Sequence, residues 1–127
     1  MTETALLLIA HGSRQAEANE DLVWLADQLR TGGSYCAVVA SYLELAEPGI
    51  AEGGRRCVAA GARRVILVPY FLSAGIHVRR DLEGQRERLA DQHAGVAFVL
   101  AEPLGRDELL IEVVRRRIAE SLAHAPI

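Results

Sequence analysis

Apolar and polar positions fall in alternating blocks along the chain. Ala5-Leu6-Leu7-Leu8-Ile9-Ala10 is an unbroken apolar run. Such a run predicts a strand buried on both faces, as in parallel sheets covered by helices. Leu22, Leu25, Ala26 and Leu29 then recur at helical spacing, with Ser13 placed as a possible N-cap and Gly32-Gly33 as the stop. Cys36 to Tyr42, rich in Val and Tyr, predicts a second strand. Pro48 suits the first turn of a helix that carries Ile50, Cys57 and Val58 and stops near Gly61. Val65 to Val68, closed by Pro69, predicts the third strand, and a loop from Tyr70 to Gly75 follows. A charged helix from about Ile76 to Gln92, a fourth strand from Val96 to Leu100 and an amphipathic helix through Leu110, Val113, Val114, Ile118 and Leu122 complete the order.

Four strand–helix pairs in sequence imply an α/β fold, with a four-stranded parallel sheet, right-handed crossovers and helices on both faces. The chain shows no linker, repeat or low-complexity tract, so residues 1–127 read as one domain. Trp24, beside the apolar face of the first helix, is expected to pack.

Composition narrows the function classes. Half of the residues are apolar, and the formal net charge is −3. Arginine supplies every basic side chain, since the chain has no lysine. A nucleic-acid binder would show a basic balance, so no nucleic-acid partner is expected. Cys36 and Cys57 form neither a CxxC pair nor a disulfide framework, which suits a reduced, cytoplasmic compartment. The start Met1-Thr2-Glu3-Thr4 lacks the basic region of a signal peptide, and the first apolar run is too short to span a bilayer. A soluble protein with no membrane partner is the expectation.

The candidate chemistry stands where strands end. His11 follows the first strand, Glu44 lies just past the second, and His77 lies beyond the third. In an open parallel sheet, ligands bind outside the carboxyl ends of the strands at the switch point. With strand order 2-1-3-4, and neighbouring strands about 4.8 Å apart, the three residues can converge. Two imidazoles and a carboxylate suit a borderline divalent metal such as Fe, Co, Ni or Zn. Each residue also has a plainer reading. His11 can be a hydrogen-bonded structural histidine, Glu44 a solvated loop acid, and His77 a helix-start residue. His93 and His124 lie away from the strand ends and are expected to be solvated, and the two cysteines to be small core residues.

Three segments carry a resemblance. Ala10-His11-Gly12-Ser13-Arg14, Leu43-Glu44-Leu45-Ala46-Glu47-Pro48 and Val68-Pro69-Tyr70-Phe71-Leu72-Ser73-Ala74-Gly75-Ile76-His77-Val78-Arg79-Arg80-Asp81 resemble the short cobalt/iron sirohydrochlorin chelatases, a branch of the class II tetrapyrrole chelatases. The resemblance runs from about Leu6 to Leu122. It implies a flavodoxin-like, chelatase-like fold and insertion of cobalt, iron or nickel into sirohydrochlorin. It also implies His11 and His77 as metal ligands, Glu44 as auxiliary ligand or base, and pairing as a homodimer. The divalent metal is then a substrate, and no tightly bound cofactor is expected. One departure stands out: Asp81-Leu82-Glu83 replaces the Asp-Ile-Pro common in the family, which predicts a local change at the start of that helix.

Metallation removes two pyrrole protons, and an imidazole, with an ordinary pKa of about 6.5, can hold a metal or accept a proton. The ring's carboxylates need cations, for which Arg14, Arg79 and Arg80 are candidates; the plainer reading of these is a solvated helix face. Arg79 and Arg80 point about 100° apart on a helix, so one of them faces the cleft. Gly12 and Ser13 either offer backbone N–H groups to an anion or simply make the turn. Phe71, Leu72 and Ile76 either wall the flat ring or pack the loop down. The rival in a different class is a non-catalytic metal carrier delivering nickel or cobalt with the same cluster. A histidine phosphatase is disfavoured by Ala10 where Arg precedes the histidine. No G-x-S-x-G elbow supports a serine hydrolase, and no Ser/Thr-rich cradle follows the first strand to hold a flavin phosphate.

Overall fold

In the computed structural model, which describes residues 3–124, the first apolar run forms β1 (Thr4–Ala10). It is flanked on both sides by parallel neighbours, in the sheet order β2-β1-β3-β4. The others are β2 (Ala37–Tyr42), β3 (Arg64–Pro69) and β4 (Ala97–Leu100). The helices are α1 (Ala16–Gly32), α2 (Ile50–Ala59), α3 (Ile76–Gln92) and α4 (Glu108–His124). Ala5, Leu7, Leu8 and Ile9 are wholly buried because both faces of β1 are covered. The expected α/β architecture is therefore found, with end points shifted by a few residues.

Strand alternation divides the core in two. Ala5, Leu7 and Ile9 face one side with Val65, Leu67 and Phe98, against Ile50 and Cys57 of α2 and Leu82 and Leu89 of α3. Leu6 and Leu8 face the other side with Val38 and Tyr42, against Leu22 and Ala26 of α1. Gly53 lets α2 lie close to the sheet, since a Cβ there would meet Leu7 Cδ1 at 2.6 Å. Ser41, the buried polar residue of the core, donates its hydroxyl to the Leu8 carbonyl at 2.8 Å.

Several expectations are corrected. Ser13 does not cap α1, which starts three residues later behind Gln15; its hydroxyl instead accepts the Gln15 N–H at 3.0 Å. Trp24 is 60% exposed rather than packed. It stands two residues from both Leu22 and Ala26, about 200° around the helix from each, and so points away from the sheet. His93 is half-buried beside Phe98, with ring centroids 6.0 Å apart. Cys57 is buried, which pushes its thiol up to about 12, whereas Cys36 is only partly covered. Asp81-Leu82-Glu83 makes no break, because α3 runs continuously through it with Leu82 buried. The last helix differs most: α4 has no buried residue. No described helix is long and apolar enough to cross a membrane.

Candidate active site

Beyond the C-terminal edge of the sheet, His11 leaves β1 and is joined by backbone to the loop after β2. Leu43 N–H donates to the Ala10 carbonyl at 2.9 Å, and Glu44 N–H donates to the His11 carbonyl at 3.1 Å. On the other flank, Tyr70 N–H donates to the Ile9 carbonyl at 2.7 Å. The two loops beside His11 are thus held by main-chain bonds that continue the parallel ladder past its last registered pairs.

Gly12 makes this closeness possible. Its φ is +94°, and a Cβ there would lie 1.8 Å from the Glu44 carbonyl oxygen. Nearby, Leu45 holds φ 65°. The left-handed region costs a residue with a side chain on the order of 1–2 kcal/mol, and such strain gathers at functional sites.

The imidazole of His11 lies over Phe71, with centroids 4.5 Å apart and planes inclined by 30°. Phe71 is only 8% exposed. It is a floor beneath His11, anchored in the core, and so not the open ring-binding wall it was expected to help form. Leu72 and Ile76 remain exposed, at 64% and 60%, and are open to a flat ligand.

Ser13 is held by a residue that the sequence pattern did not single out. Its N–H donates to Asn19 Oδ1 at 2.9 Å, and Asn19 Nδ2 donates to its carbonyl at 2.8 Å. The Ser13 N–H is therefore engaged and does not serve as an anion donor, which corrects one expected role. Tyr42 steadies the same turn by donating its hydroxyl to the Asn19 carbonyl at 3.0 Å, and burial pushes that phenol up from its ordinary value. Asn19→Ala should lower stability by about 1–3 kcal/mol through the two lost bonds. A thermal melt should show a fall of roughly 4–10 °C, and an unchanged melting temperature would show that the clamp is idle.

Glu44 and His77 are both exposed, His77 in the first turn of α3. The three expected ligands share one end of the sheet, yet the described residues contain no group of three or more His, Cys, Asp or Glu side chains able to hold a metal ion. The expected convergence is thus a shared edge and not a closed ligand set. The spacing of strand ends brings backbones together, but His77 stands a whole loop further on, at the start of α3.

The arginines also separate. Arg79 donates to the Ala74 carbonyl and to Glu102, both at 3.2 Å, so it is tied toward the end of β4. Arg14 and Arg80 are exposed and make no polar contact within the described residues. Arg80 lies three residues after His77 and shares its side of α3.

Beside His11 a pocket of about 230 Å³ is lined by His11, Gly12, Ser13, Asn19, Asp21 and Tyr70, among others. Sites for drug-sized ligands run about 300–1,000 Å³. The pocket can take an ion with its waters, or the edge of a ring, but not a whole macrocycle. Asp21 lies in no recognisable motif, and Tyr70 lies in the third resembling segment without a role of its own; the fold brings both to this pocket.

The CbiX family model matches residues 5–121. The chain belongs to the CbiX family. This CbiX chain is 34% identical over 119 residues to the chloroplastic sirohydrochlorin ferrochelatase of Arabidopsis thaliana, covering 94% of this chain and 53% of the relative. It is 32% identical over 117 residues to the sirohydrochlorin cobaltochelatase of Sulfurisphaera tokodaii, with 92% of each covered. The structure of SirB from Bacillus subtilis with Fe3+ superposes with a TM-score of 0.85 at 28% identity, over 98% of this chain and 49% of that one. The CbiX chain thus spans about half the length of the Arabidopsis relative and of SirB, and nearly all of the Sulfurisphaera protein. A non-catalytic carrier finds no support among these relatives.

Proposed function

We propose that this chain is a metal-inserting lyase that places cobalt or iron, with nickel as a third candidate, into sirohydrochlorin. The observation that carries the reading is His11. It stands on the Phe71 floor at the end of the central strand, in a chain whose relatives are named sirohydrochlorin chelatases. The reaction exchanges one divalent ion for two pyrrole protons. His11 contacts the metal and, once the metal has passed to the ring and freed its ring nitrogen, accepts one pyrrole proton; Glu44 takes the second, and His77 is a further ligand. An open arrangement suits a metal that must leave for the ring, since a closed protein ligand set would retain it.

The chain acts as one domain, in the cytoplasm, with the metal as substrate and no tightly bound cofactor. Its pocket holds only the edge of a ring, and longer relatives carry about twice the chain. A homodimer supplies the missing half of the cleft.

Equimolar Co(II), Fe(II) and Ni(II), offered anaerobically with sirohydrochlorin, test the function and rank the metals. The cobalt or iron product should exceed that of a protein-free control by mass spectrometry. The same products in the same amounts without protein would overturn the proposal.

The ring's carboxylates meet Arg80 and Arg14, whose guanidinium groups have no polar partner among the described residues. Losing one charge-assisted bond costs about 1.5–3 kcal/mol, or roughly ten- to a hundredfold in affinity. Arg80→Ala should therefore raise KM for sirohydrochlorin and leave kcat nearly unchanged, as expected for lost uniform binding. Arg79→Ala, already paired with Glu102, should change KM less. Steady-state kinetics of the two variants check this order.

A further inference from the structure

His11 stands between two different surroundings, one on each face of the sheet. Phe71, beneath its imidazole, belongs to the core shared with α2 and α3, and the exposed Ile76 and His77 open α3 on that side. Tyr70 and Leu22 belong to the core beneath α1. They line the pocket of about 230 Å³ that borders His11. A flat ring laid over Ile76 and His11 leaves the α1 side of the imidazole to this pocket, which is too small to admit the ring.

The polar groups of the pocket sort into engaged and free. Asn19 uses both ends of its amide on the Ser13 backbone, and the Ser13 hydroxyl accepts the Gln15 N–H. The Asp21 carboxylate and the Tyr70 hydroxyl make no polar contact within the described residues. Among the described residues no arginine lines the pocket, so no guanidinium balances Asp21 there. The other small pocket at this end of the sheet, about 220 Å³ beside β3 and β4, is different. Its acids, Glu102 and Glu83, are paired with Arg79 and Arg86. An unbalanced carboxylate, a free hydroxyl and room for an ion with its waters suit a hydrated divalent cation.

We propose that this pocket is where the incoming metal ion waits, held as an aqua ion by Asp21 and Tyr70, and that it passes to His11 from the α1 side while the ring occupies the other. The inference rests on the chelatase reading above and gives its second substrate a route of its own. The transfer is a ligand exchange without redox change: the ion gives up one bound water for the free ring nitrogen of His11 and stays divalent. A fixed negative charge in a small pocket raises the local concentration of cations. Its effect therefore falls on the metal and not on the ring.

Asp21→Asn should raise KM for Co(II) about tenfold and leave kcat and KM for sirohydrochlorin within about twofold. Asp21→Glu should stay near the wild type. Added salt should weaken Co(II) use by the wild type more than by Asp21→Asn. Glu20→Gln removes the neighbouring charge, which lies outside the pocket, and should change none of these constants. An unchanged KM for Co(II) in Asp21→Asn, or an equal rise in Glu20→Gln, would overturn the proposal. A second measurement needs no ring. In ¹⁵N-labelled His11→Ala protein, substoichiometric Mn(II) alone should broaden the amide signals of Ala18 to Leu22, and adding Asp21→Asn should restore them. Signals that stay sharp, or broadening that survives Asp21→Asn, would overturn the waiting site even in a chain that inserts metal. The expected broadening in a chain without insertion activity would leave a cation site and overturn the chelatase reading on which the route rests.

Discussion

Gly12→Ala should slow metal insertion by about a hundredfold, the loss expected when reacting groups are displaced by about 1 Å. The added Cβ would sit 1.8 Å from the Glu44 carbonyl oxygen and 3.2 Å from Tyr42 Cβ, where ordinary contact begins near 3.4 Å. Both neighbours are held: Glu44 by its N–H bond to His11, and Tyr42 by burial against α1. Relief must therefore come from parting the two loops, which moves Glu44 away from His11. Gly61→Ala is the control. Gly61 also has a positive φ, +96°, but open space around it. It should lose stability by a similar conformational strain and keep its rate. Initial rates beside melting curves separate the two, and a Gly12→Ala enzyme at full rate would show that the packed loops are unnecessary.

His11→Ala should be the more damaging change. General base catalysis contributes about 10²–10⁴-fold, and the same side chain is proposed to contact the metal. The imidazole is exposed above Phe71, so its removal leaves Phe71 seated in the core and the fold intact. Circular dichroism of the variant should match the wild type while its insertion rate falls about a thousandfold. His77→Ala should lose less, because His77 stands further from the pocket at the start of α3. Equal losses would place both imidazoles at the same step.

The alternating blocks made most of the fold legible. A strand buried on both faces must be apolar throughout, and Ala5 to Ala10 is. The sheet order 2-1-3-4 entered only as a supposition, and the fold bears it out, placing His11, Glu44 and the α3 start at one edge. What stayed hidden depends on contacts between distant residues. Asn19 reads as an ordinary polar position of α1, and only the turned chain brings its amide to Ser13. Phe71 reads as a loop aromatic, and its burial follows from the Tyr70–Ile9 bond that draws the loop onto the sheet end. The periodicity of α4 announced an amphipathic helix correctly, yet periodicity does not say which surface covers the stripe. The backbone bonds from Leu104 to Phe71 and from Gly105 to Leu72, which hold the approach to α4 against the site loop, lie in a segment with no regular pattern.

The most direct test of the central claim is the initial rate of Co(II) insertion into sirohydrochlorin, followed by the ring's absorbance, with and without the wild-type protein at equal metal and ring concentrations. The rate should rise in proportion to protein concentration and exceed the protein-free rate many times over. A rate that does not change as protein is added would contradict the assignment of this chain as a chelatase.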